Sequence, residues 1–419
     1  MFERDRWQEI FEALAKNKIR TLLTAFGVFW GIFMLVIMLG SSRGLKNGIY
    51  LGMGDFATNS LFVWTQQTSM PYQGFNKGRR WNFDNDDTKL IREKVPEIKI
   101  LAPRINYPQG SPTFVRDKYT ATFQLNGDYP ASFMVDPVNL LEGRIINDID
   151  IDQKRKVAVI GQRVKETLFP EGASPIGKYI QVQGIYFQVV GVYKSKHNQG
   201  WGRGQNETVV IPFTTLQKAF NLGNIVFYYS MTSFPQYSIS QVEPKVKEIL
   251  AKKHKIHPQD MQAFGSANVE KSFSQMNNLF LGINFLTWFV GTLTLVAGVI
   301  GISNIMLVII KERTKEIGIQ RAIGATPIKI ITQIVMESVF LTFIAGLIGM
   351  IVGVLIIQGI NMLLLQSPSE DTMFANPEVD LQAVVTALVL LVISGVFAGM
   401  IPALKAIKIK PIEALRAEL

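Results

Sequence analysis

The sequence contains no cysteine and only three histidines, His197, His254 and His257. Without cysteine the chain cannot form a disulfide, a thiolate nucleophile or a zinc–thiolate centre. His254 and His257 have the i, i+3 spacing of two metal ligands on one helix face, but the three lysines around them would repel a cation. We therefore expect an exposed helix end there and no metal site. No catalytic triad or carboxylate pair can be argued from spacing, so we expect neither an enzyme nor a bound cofactor.

Charge is missing from long stretches near both ends of the chain. Residues 21–40 carry no charged side chain, and residues 279–310 carry no ionisable group. Glu337 is the one ionisable side chain in residues 330–364, and another apolar run follows further on. About 20 consecutive apolar residues suffice for a helix to cross a bilayer. The sequence therefore predicts four transmembrane helices, at residues 21–43, 276–310, 328–364 and 381–404.

The polar middle of the chain, residues 44–275, mixes strand and helix patterns. Strands are predicted near residues 60–65, 98–103, 157–160 and 226–232, and helices near residues 86–95, 164–169 and 241–253. Residues 179–193 predict a hairpin around Gln183 and Gly184, and residues 119–125 predict a strand that ends at an Asn126-Gly127 turn. Strand–helix–strand patterns early and late suggest a two-part α/β region with a β-rich insertion at about 128–215. The predicted fold class is an α+β membrane protein with a large extracytoplasmic α/β domain between transmembrane helices 1 and 2.

Basic residues cluster beside the apolar segments, and their positions predict the topology. The net charge of +10 does not call for nucleic acid, because basic residues next to membrane spans face anionic lipid headgroups. Residues 311–327 and the tail 405–419 are assigned to the cytoplasm, and the acidic loop 365–380 to the outside. Residues 1–20 predict a cytoplasmic amphipathic helix that either lies in the membrane interface or packs on protein. Both termini are then cytoplasmic and the large domain periplasmic or extracellular.

A charged hinge, residues 311–327, separates the second and third apolar segments. Within it, residues 316–322 predict a short helix and Gly324 a left-handed cap. Thr326 and Pro327 predict the N-cap and first residue of the next helix. Two interpretations remain open: a charged loop that enforces topology, or a docking element for a cytoplasmic partner.

The third span contains one acidic side chain and a row of glycines. Glu337 either pairs with the basic hinge or snorkels towards it, or it contacts cargo. Gly346, Gly349 and Gly353 have the small-residue spacing that allows close contact between helices.

Residues 172–179 read GASPIGKY and differ by one residue from a phosphate-binding loop. Tyr179 replaces the hydroxyl residue that would bind magnesium. The residues after it alternate as a strand, whereas a phosphate loop leads into a helix. We therefore expect no nucleotide site in this segment.

Four segments together resemble the FtsX-like permease family of ATP-binding-cassette transporters, in particular MacB-type export permeases. These segments are FEALAKNKIRTLLTAFGVFWGI, EGASPIGKYIQVQGIYFQVVGVY, NIMLVIIKERTKEIGIQRAIGAT and KPIEALRAE. The resemblance implies a dimer of four-span subunits, homomeric or heteromeric, whose hinge docks on a cytoplasmic ATPase. Carried onto this sequence, the ATPase contact would consist of Glu312, Arg313, Glu316, Ile317, Gly318, Arg321, Ala322, Gly324 and Ala325.

The resemblance also implies a function. MacB carries its ATPase domain at the N-terminus, whereas this chain starts about twenty residues before its first span, so we expect a separate ABC ATP-binding subunit. The implied activity is mechanotransmission, in which ATP-driven motion at the hinge moves the outer domain and exports peptides, drugs or other amphipathic cargo. A periplasmic adaptor and an outer-membrane channel are further possible partners. The alternatives are a lipoprotein-releasing permease and a transmembrane signalling scaffold that controls a cell-wall hydrolase.

Overall fold

The computed structural model describes residues 18–53, 58–170, 172, 174–195, 204–366 and 374–409. The chain divides into two compact units: a helical unit, Met1–Ile49 with Leu279–Leu419, and an α/β unit, Tyr50–Asn278. His197, nearly all of the amphipathic helix predicted at residues 1–20 and most of the tail lie outside the described residues. The domain boundaries given above stay predictions.

The helices are numbered in chain order. They are α1 (Lys18–Met53), α2 (Asn85–Lys94), α3 (Ser132–Val135), α4 (Asp148–Asp152), α5 (Gln162–Leu168), α6 (Phe213–Ala219), α7 (Ile239–Lys253), α8 (Val269–Glu312), α9 (Thr314–Ala322), α10 (Pro327–Gln366) and α11 (Leu381–Ala406).

The strands all lie in the α/β unit. They are β1 (Ser60–Thr65), β2 (Phe83–Asp84), β3 (Ile98–Asn106), β4 (Thr113–Arg116), β5 (Tyr119–Thr122), β6 (Gln124–Asp128), β7 (Val138–Gly143), β8 (Val157–Gly161), β9 (Tyr179–Val182), β10 (Ile185–Ser195), β11 (Thr208–Pro212), β12 (Ile225–Val226), β13 (Tyr228–Ser233) and β14 (Phe264–Asn268).

Within the described ranges, four helices are long and apolar enough to cross a membrane: α1, α8, α10 and α11. α8 has 44 residues and α10 has 40. At about 1.5 Å per residue each is about twice as long as the roughly 30 Å hydrocarbon core of a bilayer. The predicted fold class, four such helices with a large α/β domain between the first and second, is confirmed.

Glycines of α10 allow this helix to contact its neighbours closely, as the sequence predicted. A Cβ at Gly349 would lie 2.5 Å from the carbonyl oxygen of Phe29 in α1. A Cβ at Gly346 would lie 1.7 Å from Cδ1 of Leu391 in α11. Neither distance can be accommodated in a close-packed interior without a shift of the neighbouring atoms.

The α/β unit is built on one sheet of 12 strands. Their order is β14-β1-β13-β3-β6-β11-β8-β10-β9-β4-β5, with β7 paired to β10. Two neighbouring pairs, β6 with β11 and β8 with β10, are parallel. One continuous core of buried apolar side chains runs along this sheet, and Leu61, Phe114, Val159 and Tyr229 all belong to it.

Local patterns in the α/β unit predicted many of these elements. The hairpin is confirmed: β9 and β10 pair antiparallel through Gln183 and Gly184, whose φ angles are 49° and 79°. Two successive positive φ angles are the requirement of a type I′ hairpin turn. The strand predicted at 60–65 and the helix predicted near 86–95 are also confirmed.

The predicted Asn126-Gly127 turn is wrong. Both residues lie inside β6, which pairs with β3 and β11, and Gly127 does not have a positive φ. The glycine is required by packing instead, because a Cβ there would lie 2.8 Å from Cγ2 of Ile105 and 2.9 Å from Cβ of Leu216. The β-rich part also begins earlier than about 128, since β4 pairs with β9 and with β5.

Candidate functional site

The charged hinge between α8 and α10, residues 311–327, is named the coupling segment. It has the local structure that its sequence predicts. α9 ends at Ala322, and Gly324 follows with a φ of 102°. The N–H of Gly324 donates to the carbonyl oxygen of Arg321 at 3.1 Å, and α10 begins directly afterwards at Pro327. The Thr326 carbonyl oxygen accepts the N–H of Lys329 at 3.0 Å, as expected at a helix start. The predicted sequence of short helix, glycine cap and new helix is therefore confirmed.

The inner face of α9 is apolar and buried. Ile317 is 7% exposed and belongs to an apolar cluster with Ile310 at the end of α8 and with Ile330 and Ile334 in α10. Gly318 is buried beside it. These two of the nine predicted contact residues thus hold α9 on the helical unit and are not on its surface.

Arg313, at the junction of α8 and α9, forms an ion pair with Glu337 of α10. Its Nη1 lies 3.3 Å from Oε1 of Glu337, whose side chain is 9% exposed. Its Nε lies 3.9 Å from Oε2 of Glu316 in the next helical turn. Of the roles considered for Glu337, pairing with the basic hinge is therefore confirmed. The carboxylate connects the coupling segment to the third long helix.

Arg321 makes a second connection, which the sequence did not predict. Its Nη1 donates to the carbonyl oxygens of Ile407 and Ile409, each at 2.6 Å. The last carbonyls of a helix have no partner within the helix, and a cation near them is favourable. Arg321 therefore caps the end of α11. No local signal could indicate this contact, since its partners lie more than 80 residues away in the chain.

The outer face of the coupling segment combines charge with exposed apolar side chains. Among the predicted contact residues, Glu312, Glu316, Ala322 and Gly324 are exposed, and Ala325 is half-buried. Ile323 is 83% exposed and Ile328 is 75% exposed, although neither was among the predicted contact residues. Isoleucine on the solvent side of a charged helix is the signal that could have identified them.

The helical unit contains a cavity that the sequence did not indicate. Its volume is about 440 Å³, and its walls come from α1, α8 and α11 with the residues before α11. Leu39, Phe280 and Trp288 form apolar parts of the wall, and Arg43 and Asp380 form an ion pair of 2.9 Å in it. A cavity with apolar and charged walls suits an amphipathic molecule.

His254 is not at an exposed helix end, contrary to the prediction. Its side chain is 16% exposed, and Nε2 lies 2.8 Å from Oδ2 of Asp87. Asp84, Asp87 and His254 could by geometry surround an ion. However, Nζ of Lys253 lies 2.6 Å from Asp84 and 2.7 Å from Asp87. The ammonium group therefore stands where a metal ion would be held.

The same contacts set the pKa values of this cluster. Burial raises the pKa of Asp87, but hydrogen bonds from His254 and Lys253 outweigh it and hold that pKa below its usual value. Burial lowers the pKa of Lys253, but the two carboxylates outweigh it and raise that pKa. The cluster is thus an ion-paired N-terminal cap of α2, in which Asp84 accepts from the N–H groups of Asp86 and Asp87.

The GASPIGKY segment leads into a strand, as predicted. Lys178 is followed directly by β9, and the Tyr179 side chain is 56% exposed. A phosphate loop places its anion at the N-terminus of a helix, and no helix follows here.

Two known protein families match the chain, one over the first part of the chain and one over the second. The family described as MacB-like periplasmic core domain matches residues 21–249. The family described as FtsX-like permease C-terminal matches residues 288–411, a range that includes the coupling segment.

Individual proteins show the same similarity. The chain is 30% identical, over 97% of its length, to the macrolide export ATP-binding/permease protein MacB of Bdellovibrio bacteriovorus, of which it covers 61%. It is 28% identical, over 96% of its length, to the pyoverdine export ATP-binding/permease protein PvdT of Pseudomonas entomophila, of which it covers 58%. The chain thus spans less than two thirds of these relatives. The crystal structure of the periplasmic region of MacB from Actinobacillus actinomycetemcomitans is 19% identical, with a TM-score of 0.43, and covers 53% of this chain and 94% of that one.

Proposed function

Because the chain belongs to the MacB-like, FtsX-like permease family, we propose that it is the transmembrane subunit of an ATP-driven export system. A cytoplasmic ATP-binding module docks on the coupling segment. Two copies of the chain, or this chain and a related one, form the permease. The N- and C-termini lie in the cytoplasm, and the α/β unit lies on the other side of a bacterial inner membrane.

The geometry of α9 is the observation that carries this proposal. Glu316 is exposed on the outer side of this short helix and Ile323 is exposed directly after its end, whereas Ile317 and Gly318 are buried on its inner side. An exposed apolar side chain with charged neighbours is typical of a protein interface, where one buried anchor provides much of the affinity. The direct contact with the ATP-binding subunit therefore consists of Glu312, Glu316, Ala322, Ile323 and Gly324. Arg313 and Arg321 do not contact the ATP-binding partner directly. Their guanidinium groups connect the coupling segment to α10 and to the end of α11.

The movement of the coupling segment is then transmitted along the long helices. Displacement of the coupling segment passes along α8, which is continuous from Val269 to Glu312. The α/β unit moves in response and shifts cargo or a partner on the far side of the membrane. An adaptor and an outer-membrane channel would receive cargo there.

Cargo of an amphipathic kind agrees with the cavity of the helical unit. An apolar portion would contact Trp288 and Phe280, and a polar portion would contact Arg43 and Asp380. A lipoprotein offers the same chemistry through its acyl chains and is the second candidate. Identification of molecules that remain bound to the purified complex, by mass spectrometry, distinguishes exported small molecules and peptides from captured lipoproteins.

Copurification tests the docking face. The full chain is purified in mild detergent from its native membranes, and the proteins that accompany it are identified. We expect an ATP-binding subunit with the wild type and a loss of about 30-fold in its affinity for a Glu316→Arg/Ile323→Glu variant, since central interface residues contribute 2 kcal/mol or more. Glu93→Arg, on the exposed face of α2, is the matched control and should retain the subunit. Wild-type retention by the double variant would contradict the proposal.

Cysteine labelling tests the orientation. Because the sequence contains no native cysteine, every label reports the introduced thiol. Ile323→Cys and Glu93→Cys each introduce a single thiol at an exposed position. In intact inner-membrane-bounded spheroplasts, a membrane-impermeant maleimide should label Glu93→Cys and label Ile323→Cys only after lysis. Labelling of both before lysis would place both positions on one side and refute the topology.

A further inference from the structure

The α/β unit contains a cavity of about 590 Å³, and none of its lining residues lies in the coupling segment. Its volume is in the range of about 300–1,000 Å³ found for small-molecule sites. Strands β1, β3, β6, β7, β10, β11 and β13 contribute to the walls, together with α3 and a 3-10 turn at Gln205–Glu207. All of these elements belong to one unit, so the cavity is a property of that unit alone.

Alternation along the strands places polar side chains in the cavity. In β6, Gln124, Asn126 and Asp128 all line it, because residues two apart point to the same face of a sheet. The neighbouring strand β3 contributes Arg104 and Asn106 in the same way. The sequence QLNGD therefore has its hydrogen-bonding residues on the cavity side and Leu125 and Gly127 on the core side.

Side-chain amides are the most distinctive part of the wall. Asn82, Asn106, Gln124 and Asn126 line the cavity, and none of their amide groups bonds to any residue that the structure describes. Each amide offers two donor hydrogens and one acceptor oxygen. A wall of this kind provides donors and acceptors together without a net charge.

The charged groups of the wall are hydrogen-bonded to other residues of the wall. Arg104 binds Asp128 with two parallel hydrogen bonds of 2.8 and 2.7 Å. Asp136 accepts a hydrogen bond from the amide of Gln205. The Tyr193 hydroxyl donates to the Gln205 carbonyl oxygen at 2.7 Å, which holds the turn in place. One arginine against two carboxylates argues against an anionic ligand, since the arginine is already bonded to Asp128.

Aromatic rings complete the cavity. Phe62, Trp64, Phe133 and Tyr228 all line it. The face of an aromatic ring is electronegative, so it packs well against the slightly positive C–H groups of a saturated ring. Polar groups at the ring edges and an aromatic face beneath are what a sugar ring requires, because its hydroxyls point outward and its C–H groups point up and down.

We propose that this cavity is a binding site for a neutral, polyhydroxylated ligand of mono- or disaccharide size, which the amides of Asn106 and Asn126 hold by hydrogen bonds. The carboxylate of Asp136 accepts from a hydroxyl, and the amides both donate and accept. This site is independent of the coupling proposal, because none of its residues belongs to the helical unit. It gives the α/β unit a recognition function of its own.

Binding of defined sugars to the full chain tests the proposal. The chain is reconstituted in lipid nanodiscs, since an alkyl maltoside detergent would itself present a sugar. Maltose, cellobiose and N,N′-diacetylchitobiose are titrated by calorimetry, with tetraethylammonium as a cationic probe. We expect at least one sugar to bind with one site per chain and the cation not to bind.

Variants link the binding to the cavity. Asn106→Ala/Asn126→Ala should weaken binding of that sugar about tenfold or more, because both side-chain amides lose their hydrogen bonds to the ligand. Gln241→Ala, an exposed amide on α7 outside the cavity, should leave binding unchanged. Unchanged circular dichroism of the double variant shows that the unit is still folded; if it is not, Asn126→Asp serves as the second variant, with the same expected weakening. No sugar binding, equal binding by a folded variant, or binding of tetraethylammonium alone would overturn the proposal.

Discussion

Replacing Asp136 by asparagine should stabilise the α/β unit at neutral pH and leave its stability unchanged in acid. Burial raises the pKa of Asp136 from 3.8 to about 6, although Arg104 and the Gln205 amide lower it and Asp128 adds to the rise. A group whose pKa is raised by folding contributes stability that is complete below its unfolded pKa. That contribution is lost as the pH rises through the folded pKa. Ionisation of the carboxylate therefore destabilises the unit increasingly between about pH 4 and pH 6, and the loss is nearly complete above pH 6.

The magnitude follows from the two pKa values. A pKa of about 6 in place of 3.8 corresponds to about 3 kcal/mol at pH 7. Asparagine has nearly the same shape, and its Oδ1 can still accept the hydrogen bond from Gln205. The substitution thus removes the buried charge without removing the contact. We expect Asp136→Asn to gain up to about 3 kcal/mol at pH 7 and nothing below pH 4.

Hydrogen exchange measures this difference in the full chain. Peptides that cover β6 and β11 are followed by mass spectrometry in nanodiscs at several pH values, with each rate corrected for intrinsic exchange. The free energy of opening should differ between variant and wild type by an amount that grows from pH 4 to pH 7.

Asp260 provides a control, because its pKa is shifted in the direction opposite to that of Asp136. Burial raises its pKa, but hydrogen bonds from Ser69 and Met70 outweigh this and hold the pKa below its usual value. Its contribution is present above the unfolded pKa and is lost as the pH falls. Asp260→Asn should therefore destabilise the unit at pH 7 and less so in acid. A flat difference for Asp136→Asn between pH 4 and pH 8, or the same trend in both variants, would refute the electrostatic argument.

Three further predictions concern packing and the ion pair of the coupling segment. Alanine replacements of Arg313 and Glu337, singly and together, should show a coupling energy of about 0.5–3 kcal/mol in chemical unfolding, and additive effects would mean that the pair does not act as a unit. Gly127→Ala should cost about 1–3 kcal/mol, seen as a lower melting temperature, because its new Cβ would be 2.8 Å from Ile105. Gly349→Val should separate α10 from α1 and lower the thermal stability of the purified chain, and a stability equal to the wild type would contradict that close contact.

Sequence patterns predicted the coupling segment well because its structure is set by neighbours in the chain. Gly324 adopts a positive φ that other residues rarely tolerate, and Pro327 suits the first turn of a helix. The hairpin at Gln183 and Gly184 was predicted correctly for the same reason. In each case the residue type and the required backbone angle coincide within a few positions.

Local sequence patterns did not predict the contacts between segments that are distant in the chain. Asn126 and Gly127 have the composition of a turn, but neighbouring strands and a helix decide their conformation. The resemblance placed Arg321 in the contact with an ATPase, and no local pattern indicated that it caps α11, which ends at Ala406. The α/β cavity was not predicted at all, because its wall is assembled from seven strands that are far apart in the sequence.

The hydrogen bonds of Arg321 have a consequence for the proposed coupling to an ATP-binding module. A load applied to α9 acts on α8 through the chain, on α10 through Glu337 and on the end of α11 through one guanidinium group. Under the proposed coupling, α8, α10 and α11 would therefore move together. Removal of that guanidinium would disconnect α11 from α9 and leave α8 and α10 connected to it.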